Sequence, residues 1–193
     1  MTFPPDTFSD ERDVVWHDRG SSRMVLEERG KLIVASGLLA IGDAAAEEFF
    51  HERSISLSCP RRAAAVELAI VRWEDDDPIA SRVAAVTLWW AKPGSDVLWN
   101  RTRQDVPVDS AVALVVDGEL VNEALAPLTD DAWSEVMPVI SDRGVFRSGE
   151  GLLFDCGTAA ADFPIWEGRM QNGELGALRI STMLLDDNER RST

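Results

Sequence analysis

The chain has 193 residues, 45% hydrophobic and 27% charged, so it is long enough to bury a core and has the composition of an ordinary globular domain. Its 34 acidic and 19 basic residues give a formal net charge of -15 and a pI near 4.4. That balance argues against nucleic acid and against an anionic membrane surface as partners, because both are bound through clustered lysine and arginine. It favours either simple solubility or the attraction of a basic protein.

The two ends of the chain differ in composition from the middle. Residues 1–13 are polar and contain proline, which predicts a flexible N-terminal lead, and residues 186–193 predict a disordered tail. Residues 14–185 are predicted to form a single β-rich domain. The first residues lack a basic segment followed by an apolar one, and no apolar run approaches the roughly 18 residues of a membrane span, so we expect a cytoplasmic protein.

The middle of the chain has the pattern of β-strands joined by short turns. Residues 63–73 and 82–91 flank a turn rich in aspartate and proline, which predicts a hairpin. A second hairpin is predicted at Asn172-Gly173, because this dipeptide favours the tight turns that join antiparallel strands. Arg29-Gly30 is predicted to form a turn between two further strands.

Three short helices are predicted among the strands. Asp43 is predicted to cap the alanine-rich segment that follows it, and Asp117 is predicted to cap the next helix. Thr129 or Asp130 is predicted to cap a third helix, which Pro138 should end. The sequence therefore predicts an α+β fold, mostly antiparallel β-sheet in a sandwich or a partly closed barrel, with two or three short helices.

The aspartates are the first candidates for chemistry. Asp109 and Asp117 bracket an apolar run, and eight extended steps of about 3.3 Å would place them roughly 26 Å apart. A general acid/base pair needs carboxyls within about 10 Å, so we predict a loop acceptor and a helix cap instead. Asp155 and Asp162 lie in a predicted loop, where two carboxylates can converge on a hard cation. The spacing matches no calcium loop, and a turn between strands is the simpler interpretation.

Other catalytic or metal-binding patterns are absent from the sequence. His17, His51, Cys59 and Cys156 have no zinc-ligand spacing, and both thiols are expected to be reduced and buried. No glycine-rich phosphate loop occurs. We therefore predict no metal and no cofactor, and catalysis is unsupported.

Seven tryptophans and no tyrosine are unusual for a chain of this length. Trp89 and Trp90 are consecutive in a predicted strand, so one indole lies on each face of the sheet, and one of them must be covered by a helix, a loop or a partner. Exposed tryptophan is a common interface anchor, although an ordinary two-sided sheet is the alternative interpretation. The candidate binding residues are Trp89, Trp90, Asp109, Asp155, Asp162 and Trp166.

Several stretches together resemble the bacterial family known as domain of unknown function 4241. The resemblance covers residues 23–185 and rests on "GKLIVASGLLAIGD", "RVAA", "VDSAVALVVD" and "GTAAADFPIWEGRMQNGE". Within the third stretch, Asp109 and Asp117 keep the spacing of the family, whereas Ala111 stands where the family has glycine. The resemblance implies a β-rich fold and carries no established activity.

Three functions follow as hypotheses. The first is a non-catalytic cytoplasmic binding protein, an acidic immunity factor that caps a basic toxin, by analogy with small acidic proteins found beside toxins. It fails if Trp89 and Trp90 are both buried in the monomer. The second is a metal-dependent, hydrolase-like enzyme, which requires Asp109, Asp155 and Asp162 to converge. The third is a homo-oligomeric structural protein closed through the Trp89-Trp90 strand.

Overall fold

Two antiparallel β-sheets and three short helices make up the fold. The computed structural model describes residues 13–16, 20–45, 47–73, 81–148, 150–157 and 161–182. The predicted tail and nearly all of the predicted lead lie outside these residues, although Asp13 already begins the first strand. No helix in the described part of the chain is long and apolar enough to cross a membrane.

The larger sheet has seven strands and the smaller has five. The large sheet contains, in chain order, β1 (Asp13–Trp16), β2 (Gly20–Ile33), β5 (Ala63–Trp73), β6 (Ser81–Trp89), β7 (Leu98–Val108), β11 (Ala161–Arg169) and β12 (Leu175–Ser181). The small sheet contains β3 (Leu38–Asp43), β4 (Ile55–Ser58), β8 (Val112–Asp117), β9 (Val145–Ser148) and β10 (Gly151–Asp155). The helices are α1 (Glu47–Arg53), α2 (Val121–Leu125) and α3 (Asp130–Arg143).

The strands are ordered β1-β2-β5-β6-β12-β11-β7 in the large sheet and β4-β3-β8-β10-β9 in the small sheet. Every neighbouring pair is antiparallel. The predicted α+β class is confirmed, and the sheets stay open rather than closing into a barrel.

The core has two main layers, one on each face of the small sheet, and a smaller third cluster on the large sheet that includes Met24 and Val71. Val115, Phe154 and Phe163 belong to the layer between the sheets. Leu114 and Ile140 belong to the second layer, where the small sheet packs against the helices. Because β8 and β10 bury both faces, they are continuous apolar runs instead of alternating ones.

Both predicted hairpins are confirmed. β5 and β6 pair along their length, with the intervening residues 74–80 outside the described part of the chain. β11 and β12 are joined at Gly173, whose φ of +85° is the left-handed backbone that a tight turn needs. The Met170 N–H closes this turn on the Glu174 carbonyl at 2.9 Å.

Arg29 and Gly30 do not form the predicted turn. β2 runs through them to Ile33, and its register with β5 shifts between Glu28 and Lys31, which is a β-bulge. Gly30 has a φ of +87°, a left-handed backbone that glycine adopts readily. Turns and bulges both use this backbone, and here it forms a bulge.

The aspartates predicted to cap the first two helices lie too early in the chain to do so. α1 begins at Glu47, four residues after Asp43. The N-cap of α2 is Leu120 rather than Asp117. Both carboxylates bond other backbone groups, so the capping prediction is wrong for both.

The third helix is longer than predicted. Thr129 is its N-cap, as predicted, although its side chain makes no capping hydrogen bond. Pro138 lies inside the helix, which continues to Arg143. Proline removes one helical bond, to the carbonyl four residues earlier at Ser134, and that residue is exposed so that water can take the place of the lost donor.

Candidate functional site

The three tryptophans predicted to bind a partner are buried. Trp90 is 7% exposed in the core between the sheets, where its indole Nε1 donates to the Arg62 carbonyl at 3.3 Å. Trp89 is 5% exposed and Trp166 is 8% exposed. The prediction that exposed tryptophans anchor a partner is therefore wrong.

Trp89 lies on the outer face of the large sheet and is covered by a cluster of side chains from four strands. The Arg179 Nε donates to the Thr87 hydroxyl at 2.7 Å, and its Nη2 lies 3.7 Å from the Glu67 carboxylate. The guanidinium stacks over the Trp99 ring, 4.9 Å from its centroid. Trp89 donates to Glu67 at 3.2 Å and meets Trp99 edge to face at 5.9 Å. We call these five residues the arginine–tryptophan cluster.

The arginine–tryptophan cluster holds a desolvated pair of charges. Burial lowers the pKa of Arg179 to about 10, and the Glu67 carboxylate opposes that shift, so the guanidinium keeps its charge at neutral pH. Arg179 is only 4% exposed. The charges and indoles of this face are thus engaged with one another, which points to a structural role.

Two buried aspartates accept hydrogen bonds from the segments that connect one sheet to the other. The Asp43 carboxylate, at the end of β3, accepts hydrogen bonds from the Ser110 N–H at 2.8 Å, from the Asp109 N–H and from the Ser110 hydroxyl. These donors belong to the β7–β8 crossing and have no partner strand. A short carboxylate supplies the acceptor that they would otherwise lack.

Asp117 does the same for the β2–β3 crossing. It accepts the Ser36 N–H at 2.9 Å and the Glu119 N–H at 3.0 Å. Burial alone would raise the pKa of Asp117, but the hydrogen bonds from Ser36, Glu119 and Ala35 outweigh burial and hold the pKa below its ordinary value.

The predicted site aspartates do not combine into one site. Asp155 is buried and accepts the Gly157 N–H at 2.6 Å, whereas Asp162 is exposed on β11. The exposed Asp109 forms an ion pair with Arg53. No group of three or more His, Cys, Asp or Glu in the described residues is arranged to hold a metal ion.

The two cysteines are free thiols. Cys156 is fully buried between the sheets, and burial together with the Asp155 charge raises its pKa well above the ordinary value. Burial and then the Asp117 charge raise the pKa of Cys59 to about 11. Both thiols are therefore protonated at neutral pH and are poor nucleophiles.

About half of the exposed acidic residues in the described part of the chain, seven of thirteen, lie in what we call the helix layer (α1, α2, α3 and the loop 118–120). Its exposed acids are Glu47, Glu48, Glu52, Glu119, Glu123, Asp131 and Glu135. Within the described residues only Glu47 has a charged partner, His51 at 3.7 Å. The helix layer also contains the basic residues His51 and Arg53, and Arg53 pairs with Asp109. The large sheet carries more cations, mixed with acids such as Glu27 and Glu67: Arg23, Arg29, Lys31, Arg72, Arg101, Arg103, Arg169 and Arg179.

Sequence reasoning missed the helix layer, although a signal was present. Between residues 104 and 142 the chain has no Lys, Arg or His. The same stretch contains Asp105, Asp109, Asp117, Glu119, Glu123, Asp130, Asp131, Glu135 and Asp142. Four of these acids, Glu119, Glu123, Asp131 and Glu135, are exposed in the helix layer, which total charge alone could not reveal.

Comparison of the chain with protein-family models, with curated proteins and with solved structures finds no match. The resemblance to the domain of unknown function 4241 family therefore stays a prediction.

Proposed function

We propose that the protein is a non-catalytic cytoplasmic binding protein whose helix layer binds a basic protein, as an immunity factor binds and blocks a basic toxin. The observation that carries the proposal is the set of seven exposed carboxylates in the helix layer, six of which have no charged partner among the described residues. Unpaired carboxylates that share one surface attract a basic partner, speed the encounter and reject acidic competitors.

Trp89 and Trp90 are both buried, so the hypothesis fails in the form in which a tryptophan anchors the partner. The proposal now rests on the helix layer alone, where most of the exposed acids have no cation beside them. Carboxylates that already have structural partners, such as Asp43 and Asp117, take no part in it.

An enzyme that uses clustered aspartates has no observation in its favour. Asp109 forms an ion pair with Arg53, and Asp155 accepts the Gly157 N–H. Metal-assisted hydrolysis needs such carboxylates to converge on one ion.

Closure of an oligomer through the Trp89-Trp90 strand also lacks support. β6 is paired with β5 on one side and β12 on the other, so it has no free edge. The edge strand β7 has a bulge in its pairing with β11, between Pro164 and Trp166, and contains Pro107. Both features discourage strand pairing between molecules.

The proposed function is tested by capture of basic proteins from the native lysate on three immobilised forms of the chain. One is wild type. The second neutralises the helix layer and the third neutralises the same number and type of exposed acids elsewhere. The helix-layer variant is Glu123→Gln, Asp131→Asn, Glu135→Gln, and the matched variant is Glu28→Gln, Asp162→Asn, Glu174→Gln.

We expect wild type and the matched variant to retain the same basic protein at low salt and to lose it at high salt. The helix-layer variant should retain much less of it. Equal loss from both variants would mean that net charge alone attracts the protein, and equal retention by all three forms would place the interface elsewhere. Either result contradicts the proposal.

A further inference from the structure

A cleft opens in the helix layer between α1 and α2. Its volume is about 310 Å³, and its floor is formed by β3 and β4. Apolar walls come from Leu38, Phe50 and Val121. Leu38 is 46% exposed, so an apolar surface is left open in the middle of an acidic one.

Polar groups line the same cleft at its sides. They are the Glu119 carboxylate, the Asn122 amide, the hydroxyls of Ser54 and Ser56, and the His51 imidazole, which lies 3.7 Å from the Glu47 carboxylate. Within the part of the chain that the structure describes, no hydrogen bond or ion pair engages the side chains of Glu119, Asn122, Ser54 and Ser56. The cleft therefore combines apolar walls with available acceptors and one unpaired negative charge.

We propose that this cleft, here called the α1–α2 cleft, receives a single arginine side chain of the basic partner, an inference that rests on the proposed function. The aliphatic part of the arginine lies along Leu38 and Val121, and its guanidinium faces Glu119 and Asn122. Arginine suits this arrangement because it joins an apolar stem to a planar head with several fixed donors.

The size and charge of the cleft favour this occupant over a metabolite. Sites for small molecules usually span about 300 to 1,000 Å³ and enclose most of the ligand. The α1–α2 cleft lies at the lower limit of that range and is open to solvent. Its surroundings include Glu47, Glu48 and Glu123, which repel an anionic metabolite and attract a cation.

The test uses acetyl-arginine-amide as the probe and the full chain labelled with ¹⁵N. Acetyl-citrulline-amide has nearly the same shape without the charge and serves as the ligand control. We expect the arginine compound to shift the amide signals of residues 38–40, 54–56 and 118–122, with weak affinity because the probe lacks the rest of the partner. Citrulline should leave these signals in place.

Two variants identify the carboxylate responsible. Glu119→Gln should weaken binding about fivefold, the upper range for an exposed charge pair. Glu28→Gln removes an exposed acid of β2, outside the helix layer, and it should change binding by less than twofold. Both substitutions are at exposed positions, and their unfolding curves verify that the fold is kept.

Three outcomes would overturn the inference: no shifts at the cleft, equal shifts with citrulline, or equal weakening by Glu119→Gln and Glu28→Gln. The capture experiment separates this failure from failure of the proposed function. If the helix-layer variant does not capture the basic protein while acetyl-arginine-amide causes no shifts at the cleft, the helix layer binds the partner without an arginine in the cleft. If capture fails as well, the proposed function fails with it.

Discussion

On the outer face of the large sheet, the charged residues of the arginine–tryptophan cluster are paired and largely buried, whereas most of the described charged residues in the helix layer are exposed and have no charged partner among the described residues. On the large sheet, Arg179 and Glu67 are withdrawn from water and surrounded by Thr87, Trp89 and Trp99. In the helix layer, carboxylates such as Glu123 are exposed and lack partners among the described residues. Removal of a charge that is paired inside the fold should therefore lower the free energy of unfolding strongly. Removal of an exposed charge should weaken binding and hardly change that free energy.

The largest effect should follow from breaking the arginine–tryptophan cluster. Arg179→Met leaves the Glu67 carboxylate in a desolvated place without its cation, and we expect a loss of about 3 to 5 kcal/mol in the free energy of unfolding. Urea unfolding measures it. The control is Arg103→Met, an exposed arginine on β7 that should cost less than about 0.5 kcal/mol.

The double variant Glu67→Gln, Arg179→Met sharpens this result. Removal of both charges avoids an unpaired buried carboxylate, so it should be at least about 1 kcal/mol more stable than Arg179→Met alone. A double variant that is less stable than either single variant would mean that the two residues do not act as a pair.

Asp117 should show the next largest effect. Asp117→Asn replaces one acceptor oxygen with an amide group that faces backbone N–H groups, and we expect a loss of about 2 kcal/mol at pH 7. Asp131→Asn, at an exposed position of α3, should change stability by less than about 0.5 kcal/mol.

The pH dependence gives a second measurement of the same carboxylate. Its pKa is lower in the folded chain than the ordinary value of 3.8. Its contribution to stability is therefore complete above the unfolded pKa and is lost as the pH falls through the folded pKa. Wild type should lose stability more steeply than Asp117→Asn below about pH 4. Parallel curves for the two proteins would contradict this assignment.

A smaller effect is expected at the β7–β8 crossing, which connects the large sheet to the small sheet. Ala111 has a φ of +68°, a left-handed conformation that costs an L-residue about 1 to 2 kcal/mol. Ala111→Gly should relieve the strain, offset in part by the greater freedom of glycine in the unfolded chain, for a net gain of about 0.5 to 1 kcal/mol. Ala126→Gly, at a φ of -51°, should lose stability instead. A gain at both positions, or at neither, would argue against strain at Ala111.

The smallest effect should come from the helix layer. The variant Glu123→Gln, Asp131→Asn, Glu135→Gln removes three exposed charges without removing a hydrogen bond, so thermal unfolding should stay within about 0.5 kcal/mol of wild type. A loss of more than 2 kcal/mol would place these acids among the structural charges and end the contrast between the two regions.

Local sequence patterns predicted much of the fold. The alternation of strands and the dipeptide Asn172-Gly173 located both hairpins, because these signals depend on residues that are adjacent in the chain. The mistakes had the same source. Gly30 signals a left-handed backbone, but a bulge and a turn use that backbone equally, and only the register with β5 separates them.

The candidate site depended on contacts between distant parts of the chain. Asp43 bonds Ser110, which lies 67 positions away, and Asp117 bonds Ser36, which lies 81 positions away. A capping aspartate and an aspartate that holds a crossing look the same in one segment of sequence. Likewise, Trp89 differs from an exposed anchor only through Glu67 and Trp99.

The sequence by itself determined the α+β class, the dominance of antiparallel sheet, the two hairpins and the acidic charge, because composition, alternation and turn preference are local properties. Only the tertiary structure decided that the tryptophans are buried, that the aspartates hold sheet crossings and that several unpaired acids share the helix layer. The physical reason is that burial and charge pairing are set by which strands become neighbours. Arg179 and Thr87, for example, meet across 92 positions because β12 pairs with β6.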